Sequence, residues 1–212
     1  TPDGERTMNT FLGACTHLGP DDVDPDVVAA SEVVYLEGYL WDPPAAKEAF
    51  RKASRVAHAH GRRVALTLSD SFCVDRWRAE FLDLMRTGVV DLVFANQAEV
   101  KALYETADLE AGVAALRADV ALAAVTLSEE GSLVATADAV VRVPASPVEA
   151  VVDTTGAGDL YAAGFLFGLT RGWEPAACAE LGGLLAAAII GHVGARSQAD
   201  LADLVRQAGF PL

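Results

Sequence analysis

The sequence is poor in basic residues, and it has no hydrophobic run long enough to cross a membrane. Its 212 residues include 30 Asp and Glu but only 16 Lys and Arg, which gives a formal net charge of −14. Nucleic acids and anionic membranes select a basic face, so we expect neither as a partner. The longest apolar run lies around residues 184–190, far short of the ~20 residues of a membrane-spanning helix.

Cysteine is also scarce. The chain has three cysteines, Cys15, Cys73 and Cys178, and their positions show neither a paired spacing nor a metal-ligand pattern. No secretory signal peptide is visible. An odd and sparse set of cysteines is typical of a reducing compartment, so we expect a cytoplasmic location.

Hydrophobic residues make up 52% of the chain, which is enough for a sizeable core. Short apolar runs alternate with segments of helical spacing. The runs predict strands over 32–38, 62–70 and 89–96 and three more within 120–145. The other segments predict helices over 43–61, 75–87, 97–105, 108–118, 157–171, 174–192 and 198–208. This alternation indicates an α/β fold with a mostly parallel sheet, in which ligands bind at the carboxyl ends of strands.

The stretch "DTTGAGD", residues 153–159, lies between a predicted strand end and a predicted helix. Its glycines allow a sharp turn and a close approach of the backbone to a ligand. The first N–H groups of a helix have no partners inside the helix, and with the helix dipole they attract anionic oxygens. The amides of Gly156, Ala157 and Gly158 are therefore candidates to hold a phosphate group.

Asp159 stands at the mouth of this turn, where its carboxylate can accept a proton from an alcohol during phosphoryl transfer. An ordinary strand–helix turn with an aspartate in the first helical turn explains the same pattern without any ligand. The stretch is not a dinucleotide fingerprint, because Tyr161 stands where that motif has glycine. It is not a P-loop either, since no Gly-Lys-Ser/Thr follows.

The same stretch resembles the signature of the ribokinase or PfkB family of carbohydrate and nucleoside kinases. Three further segments resemble family elements in matching order: "NQAE" at 96–99, "VTLSEEGSLV" at 125–134, and "DGERTMNT" at 3–10, which resembles a strand of the substrate lid. The resemblance covers essentially the whole chain. It implies a ribokinase-like three-layer α/β/α sandwich around a mostly parallel sheet.

By this resemblance, Asp159 is the catalytic base and the amides of residues 156–158 form the anion hole for the γ-phosphate of ATP. Glu99, with Asn96, is expected to organise Mg²⁺ through water near the phosphates. Carboxylate and amide oxygens suit this hard cation. The alternative for "NQAE" is a capping box, with Asn96 as the cap of a helix and Glu99 at its third position. Both interpretations can hold together.

The segment 125–134 resembles the nucleotide-binding loop of the family, with Thr126 and Gly131 in matching positions. Ser128 stands where the family commonly has glycine, and serine restricts the backbone angle φ. The alternative is a plain hairpin turn in which Gly131 supplies a positive φ.

Asp153 and Thr155, with backbone carbonyls of 192–197, resemble a monovalent-cation site, so K⁺ is a candidate ligand. Asp153 alternatively caps the turn through its side chain. The run 186–195, which includes Ala187 and Gly194, is expected to lie against the adenine, and it also fits an ordinary helix core. His192 within that run is expected to be a satisfied helix-end histidine.

About a hundred residues that open the family fold are absent from this sequence. We therefore expect 1–19 to be the end of the lid region and 20–212 to be the C-terminal nucleotide-binding and catalytic part of a longer enzyme, unless the sequence is incomplete. Lid strands in this family often pair between subunits, so a homodimer is an open expectation.

The resemblance implies an ATP-dependent kinase that phosphorylates a primary hydroxyl of a nucleoside or sugar. The residues "DGERTMNTFLGAC" and "LSDSFCVDRWR" are most similar to bacterial adenosine-kinase-like members. A sugar kinase for ribose or a fructose derivative is the alternative. A nucleotide-binding module without turnover is a third possibility, and the carboxylate at Asp159 argues against it.

Overall fold

The computed structural model of the chain describes Gly4 and residues 8–211. The chain divides into two compact units. The sheet unit comprises Thr10–Thr126 and Ala135–Val140. The α6–α7 unit, named after helices α6 (Ala157–Thr170) and α7 (Pro175–Ile190), comprises Thr1–Asn9, Leu127–Val134 and Val141–Leu212. The lid strand predicted over 3–10 falls largely on residues 3 and 5–7, which lie outside the described residues. That prediction and the division at residue 19 remain predictions.

Six strands form one sheet in the order β1–β2–β3–β4–β5–β6. The pairings β1–β2, β2–β3 and β3–β4 are parallel, which confirms the predicted α/β class with a mostly parallel sheet. The three central residues of β2 and the first four residues of β3 are buried, in keeping with their apolar sequences. The strands are β1 Val33–Glu37, β2 Arg63–Thr67, β3 Leu92–Asn96, β4 Leu122–Thr126, β5 Ser132–Thr136 and β6 Val140–Val143.

The helices of the sheet unit are α1 Pro25–Ala30, α2 Pro44–Ala59, α3 Ser71–Arg86, α4 Gln97–Leu103 and α5 Leu109–Asp119. Two of them differ from the prediction. The short α1 was not predicted, and it begins where the Asp24 carboxylate accepts the backbone N–H of Asp26 at 2.9 Å. α3 begins four residues earlier than predicted, because Asp70 caps it by accepting the Cys73 N–H at 2.7 Å.

The α6–α7 unit contains α6 Ala157–Thr170, α7 Pro175–Ile190 and α8 Leu201–Gln207. α6 and α7 approach closely because glycines face each other. A Cβ atom on Gly164 would lie 2.9 Å from the Cα of Gly182. Leu181, Leu185 and Val205 form a buried apolar cluster in the same unit. Within Gly4 and residues 8–211, every helix is too short or too polar to cross a lipid bilayer.

Candidate active site

The loop that precedes α6 turns at Gly156, whose φ is +84°. Only glycine adopts this left-handed conformation without strain. The position is also crowded, since a Cβ atom on Gly156 would lie 2.9 Å from the Cβ and 3.0 Å from the Cα of Ala195. Gly156 is therefore required by the fold itself, whatever binds beside it.

The first turn of α6 has no side-chain cap. The Ala157 N–H donates to the Thr154 carbonyl at 3.2 Å, and the Leu160 N–H donates to the Gly156 carbonyl at 2.9 Å. The N–H groups of Gly156, Gly158 and Asp159 have no backbone acceptor within the described part of the chain. We expected the amides of all three residues 156–158 to be available to a phosphate group. Two remain available, because the Ala157 amide already donates to the Thr154 carbonyl.

Gly158 and Asp159 face open space. A Cβ atom on Gly158 would meet no atom within 4 Å, so packing does not explain why a glycine stands there. Asp159 is exposed, and its carboxylate has no hydrogen bond or ion pair to any described residue. A carboxylate beside unpaired amides, at the positive end of a 14-residue helix, can accept a proton next to a bound anion.

Asp153 holds this loop in shape. Its Oδ1 accepts the Thr155 N–H at 2.9 Å and the Thr155 hydroxyl at 2.6 Å. Its Oδ2 accepts the Gly194 N–H at 2.8 Å. Asp153 therefore caps its own turn, as the alternative interpretation expected, and it also joins the loop to the segment that follows α7. The two segments of the predicted cation site, 153–155 and 192–197, are therefore adjacent within the α6–α7 unit.

The turn between β4 and β5 explains two residues of the predicted nucleotide loop. Ser128 has φ = +54°, a conformation that side chains rarely adopt. Gly131 has φ = +91°, and a Cβ atom there would lie 2.1 Å from the Val143 carbonyl oxygen. The Leu127 N–H closes the turn on the Gly131 carbonyl at 2.8 Å. Gly131 thus has the structural role that the hairpin interpretation gave it. Thr126 is the last residue of β4.

A groove of about 540 Å³ lies along the C-terminal half of α7. Ala187, Ala188 and Gly191 line one side, and residues 147–150 line another. Its volume is within the range of small-molecule sites. The small side chains leave room for a flat ring, and the adenine contact at Ala187 stays a prediction.

His192 follows the end of α7, and its two ring nitrogens differ. Nδ1 lies 3.2 Å from the Val193 carbonyl oxygen. Nε2 is buried and has no hydrogen-bond partner among the described residues. The expectation of a satisfied helix-end histidine therefore holds for one nitrogen and is wrong for the other.

Asn96 and Glu99, in the sheet unit, form a complete capping box at the start of α4. The Asn96 backbone N–H donates to Glu99 Oε2 at 2.9 Å, and the Asn96 side-chain amide donates to Oε1 at 2.7 Å. The Glu99 N–H donates back to Asn96 Oδ1 at 2.9 Å. The capping interpretation is confirmed, and each carboxylate oxygen already accepts one hydrogen bond.

Glu99 is an unusual acid because it is only 4% exposed. Burial raises the pKa of its carboxyl to about 7, the hydrogen bond from the Asn96 backbone opposes this shift, and the negative charge of Asp70 adds to it. Sequence reasoning did not single out Asp70, although an aspartate three residues after a strand of a parallel sheet was a usable signal. The described residues contain no group of three or more His, Cys, Asp or Glu side chains that could hold a metal ion alone.

Comparison with known proteins identifies the family. The sequence profile of the pfkB family carbohydrate kinases matches residues 1–201. The chain belongs to the PfkB family. The resemblance recognised in the sequence is confirmed for the family, and the roles given to residues 153–159 stay predictions.

Three relatives show how similar the chain is to known proteins. The adenosine kinase of Sinorhizobium meliloti is 62% identical, with a TM-score of 0.96 over 98% of this chain and 63% of its own. A probable sugar kinase protein from Rhizobium etli CFN 42 is 54% identical with the same TM-score and coverage. The adenosine kinase of Saccharomyces cerevisiae is 28% identical over 89% of this chain and 58% of its own. The chain thus spans about three fifths of the length of these relatives. The predicted ribokinase-like fold is confirmed.

Proposed function

We propose that this PfkB member transfers the γ-phosphate of ATP to a primary hydroxyl of a nucleoside, with adenosine as the first candidate. The observation that carries the proposal is the start of α6. There an exposed carboxylate, Asp159, stands beside amides of Gly156 and Gly158 that the described fold leaves without acceptors.

In the proposed reaction the acceptor hydroxyl oxygen forms a bond to the γ-phosphorus, and the bond from that phosphorus to the oxygen of ADP breaks. The hydroxyl proton moves to the Asp159 carboxylate. The Gly156 and Gly158 amides stabilise the charge on the transferring group. Positioning and charge stabilisation supply most of the catalysis in phosphoryl transfer, so few other protein groups are required.

Asn96 and Glu99 are the proposed contacts of Mg²⁺ in the sheet unit. Their donor set fits this cation, which keeps most of its waters and is held by one or two carboxylates together with substrate phosphates. Because both Glu99 oxygens accept hydrogen bonds from Asn96, the contact we propose runs through water. The ion would supply positive charge to the phosphates.

The groove at Ala187 is the proposed site of the adenine ring. Residues 147–150 and α7 enclose it with mostly apolar atoms, which suits the faces of a purine. Thr126, Ser128, Gly131 and Gly194 remain proposed nucleotide contacts through their backbones. For Gly131 and Ser128, the turn geometry alone accounts for the backbone conformation.

K⁺ at Asp153 and Thr155 is a further proposal. The closeness of Asp153 to the segment after α7 supports it, since the Gly194 amide lies 2.8 Å from the carboxylate. A cation there would act by fixing the loop before α6. Turnover measured in K⁺ and in tetramethylammonium at equal ionic strength tests this. A homodimer and a cytoplasmic location also remain proposals.

A sugar acceptor is the second candidate, and the 54% identity to the Rhizobium etli protein favours it. The higher identity to the Sinorhizobium meliloti adenosine kinase, 62%, is our reason for testing the nucleoside first. A panel of adenosine, other ribonucleosides, ribose and fructose derivatives separates the two, because a kinase's kcat/KM ranks its acceptors directly.

The deciding experiment uses the protein expressed from its entire coding sequence. We expect ATP-dependent phosphorylation of adenosine, and a fall in kcat of about 10²- to 10⁴-fold in Asp159→Asn with ATP affinity retained. Asp108→Asn is the matched control, since Asp108 is also an aspartate at a helix start but caps α5. Equal turnover in Asp159→Asn would remove the base from the proposal. ATP binding without turnover on any acceptor would favour the non-catalytic module.

A further inference from the structure

The start of α6 has little positive charge of its own. From residue 144 to residue 170 the sequence contains no Lys or Arg, but it contains Glu149, Asp153 and Asp159. The dipole of a helix supplies only about half a unit charge at its N-terminus. The terminal phosphoryl group of ATP carries about two negative charges near neutral pH. A cationic side chain from another part of the chain would therefore add to the charge that Mg²⁺ supplies.

The segment after α7 reaches the loop at two points. The Gly194 N–H donates to the Asp153 carboxylate at 2.8 Å. Ala195 lies so close to Gly156 that a Cβ atom on the glycine would be 2.9 Å from the Ala195 side chain. The next residue, Arg196, is one Cα–Cα step of about 3.8 Å further along the chain. Its backbone is thus held beside the turn that starts α6.

Arg196 also differs from the other arginines in the described part of this unit. Arg142 pairs with Glu130 at 3.0 Å, and Arg206 pairs with Asp203. Arg171 stacks on the Phe167 ring, with its guanidinium carbon 3.4 Å from the ring centroid. Arg196 is exposed and has no hydrogen bond or ion pair to any described residue, although the chain as a whole has an excess of carboxylates.

We propose that Arg196 contacts the phosphoryl group that is transferred at the N-terminus of α6. Its guanidinium donates to the phosphoryl oxygens and offsets the negative charge of the neighbouring aspartates. This inference rests on the proposed function, because it assigns a further contact to the same reacting group. It also gives a reason why this arginine has no hydrogen-bond or ion-pair partner among the described residues.

The test compares Arg196→Gln, Arg196→Lys and the control Arg206→Gln in the protein expressed from its entire coding sequence. Arg196→Gln should lower kcat/KM for ATP by about 10- to 100-fold, the effect of losing a hydrogen bond to a charged group. The Kd of ADP should stay within about twofold, because ADP lacks the contacted phosphoryl group. Arg196→Lys should restore part of the loss by charge alone, and Arg206→Gln should behave as wild type.

The outcomes separate the two proposals. If the wild type is an active kinase and Arg196→Gln has the same kcat/KM for ATP, the role of Arg196 is overturned and the kinase proposal stands. An equal loss of ATP and ADP affinity would also overturn it, because it would indicate general damage to the nucleotide site. If the wild type binds ATP without turnover and Arg196→Gln weakens ATP but not ADP, the contact is supported and the kinase proposal fails. A wild type that binds no ATP would overturn both.

Discussion

Two helix starts in this protein use similar sequence elements in opposite ways. Each follows a loop or strand end and has an acidic residue in its first turn, Glu99 in α4 and Asp159 in α6. At α4 the side chains of Asn96 and Glu99 bond to each other and to the backbone, and Glu99 is buried. At α6 the cap is a glycine, no side chain caps the turn, and Asp159 is exposed.

The difference shows how a helix start becomes available to a ligand. A polar cap satisfies the first N–H groups of a helix and so stabilises the protein. A glycine cap leaves those groups to an outside acceptor. The α4 start is therefore closed by its own side chains, whereas at the α6 start the amides of Gly156 and Gly158 have no backbone acceptor among the described residues.

The largest expected effect on stability follows from breaking the capping box. Asn96→Ala removes a hydrogen bond to the Glu99 carboxylate and the acceptor for the Glu99 N–H, so unfolding should become easier by about 3 kcal/mol. Urea denaturation measures this. Asp159→Ala should cost less than about 1 kcal/mol, because that carboxylate has no partner among the described residues and interacts only with the helix dipole. Equal losses of stability in Asn96→Ala and Asp159→Ala would contradict the difference between the two helix starts.

A second prediction concerns pH. Because the pKa of Glu99 rises from 4.5 to about 7 on folding, the folded state holds a proton that the unfolded state has already released. The contribution of Glu99 to stability is full below about pH 4.5 and is lost as the pH rises through about 7, by an amount on the order of 3 kcal/mol. Glu99→Gln should remove most of this loss. Denaturation at pH 5 and pH 8 tests it, and an unchanged slope in the variant would refute it.

The two glycines of the α6 start are expected to have different roles, Gly156 in stability and Gly158 in ATP binding. Gly156→Ala places a Cβ atom 2.9 Å from Ala195 at φ = +84°, so it should cost about 2 kcal/mol of stability. Gly158→Ala meets no protein atom and should leave stability unchanged or slightly raised, while it weakens ATP binding. Thermal unfolding and calorimetric titration with ATP distinguish the two. Normal ATP affinity in Gly158→Ala would show that the open space is not a ligand site.

The smallest expected effect is at Ser128. Its φ of +54° is costly for serine, so Ser128→Gly should stabilise the protein by about 1 kcal/mol. Ser132→Gly, in the strand that follows this turn, is a control that should destabilise instead. A loss of stability in Ser128→Gly would mean that the serine side chain has a stabilising contact.

The sequence predicted most of this structure because its signals are local. Apolar runs and capping residues located the strands and helices, and the motif at 153–159 located the α6 start. The start of α3 escaped prediction because Phe72 and Cys73 do not suggest a first helical turn. Asp70 alone marked the cap.

Contacts between residues that are distant in the chain, and the burial that results from them, were not predictable from the sequence. Nothing in the sequence shows that Ala195 packs on Gly156 or that the Val143 carbonyl lies against Gly131. The almost complete burial of Glu99 is equally hidden in the sequence. The internal hydrogen bond of the Ala157 amide also depends on the exact turn of the backbone. These contacts join residues that are far apart in the chain or need geometry at the scale of one ångström.

The most direct test of the central claim is an NMR titration of the protein labelled with ¹⁵N-glycine, using Mg²⁺ and a non-hydrolysable ATP analogue. The account predicts that the amide signals of Gly156 and Gly158 shift on binding, while that of Gly172, in the turn after α6, stays in place. Saturable binding that leaves the Gly156 and Gly158 signals unmoved would contradict the claim that a phosphoryl group is held at this helix start.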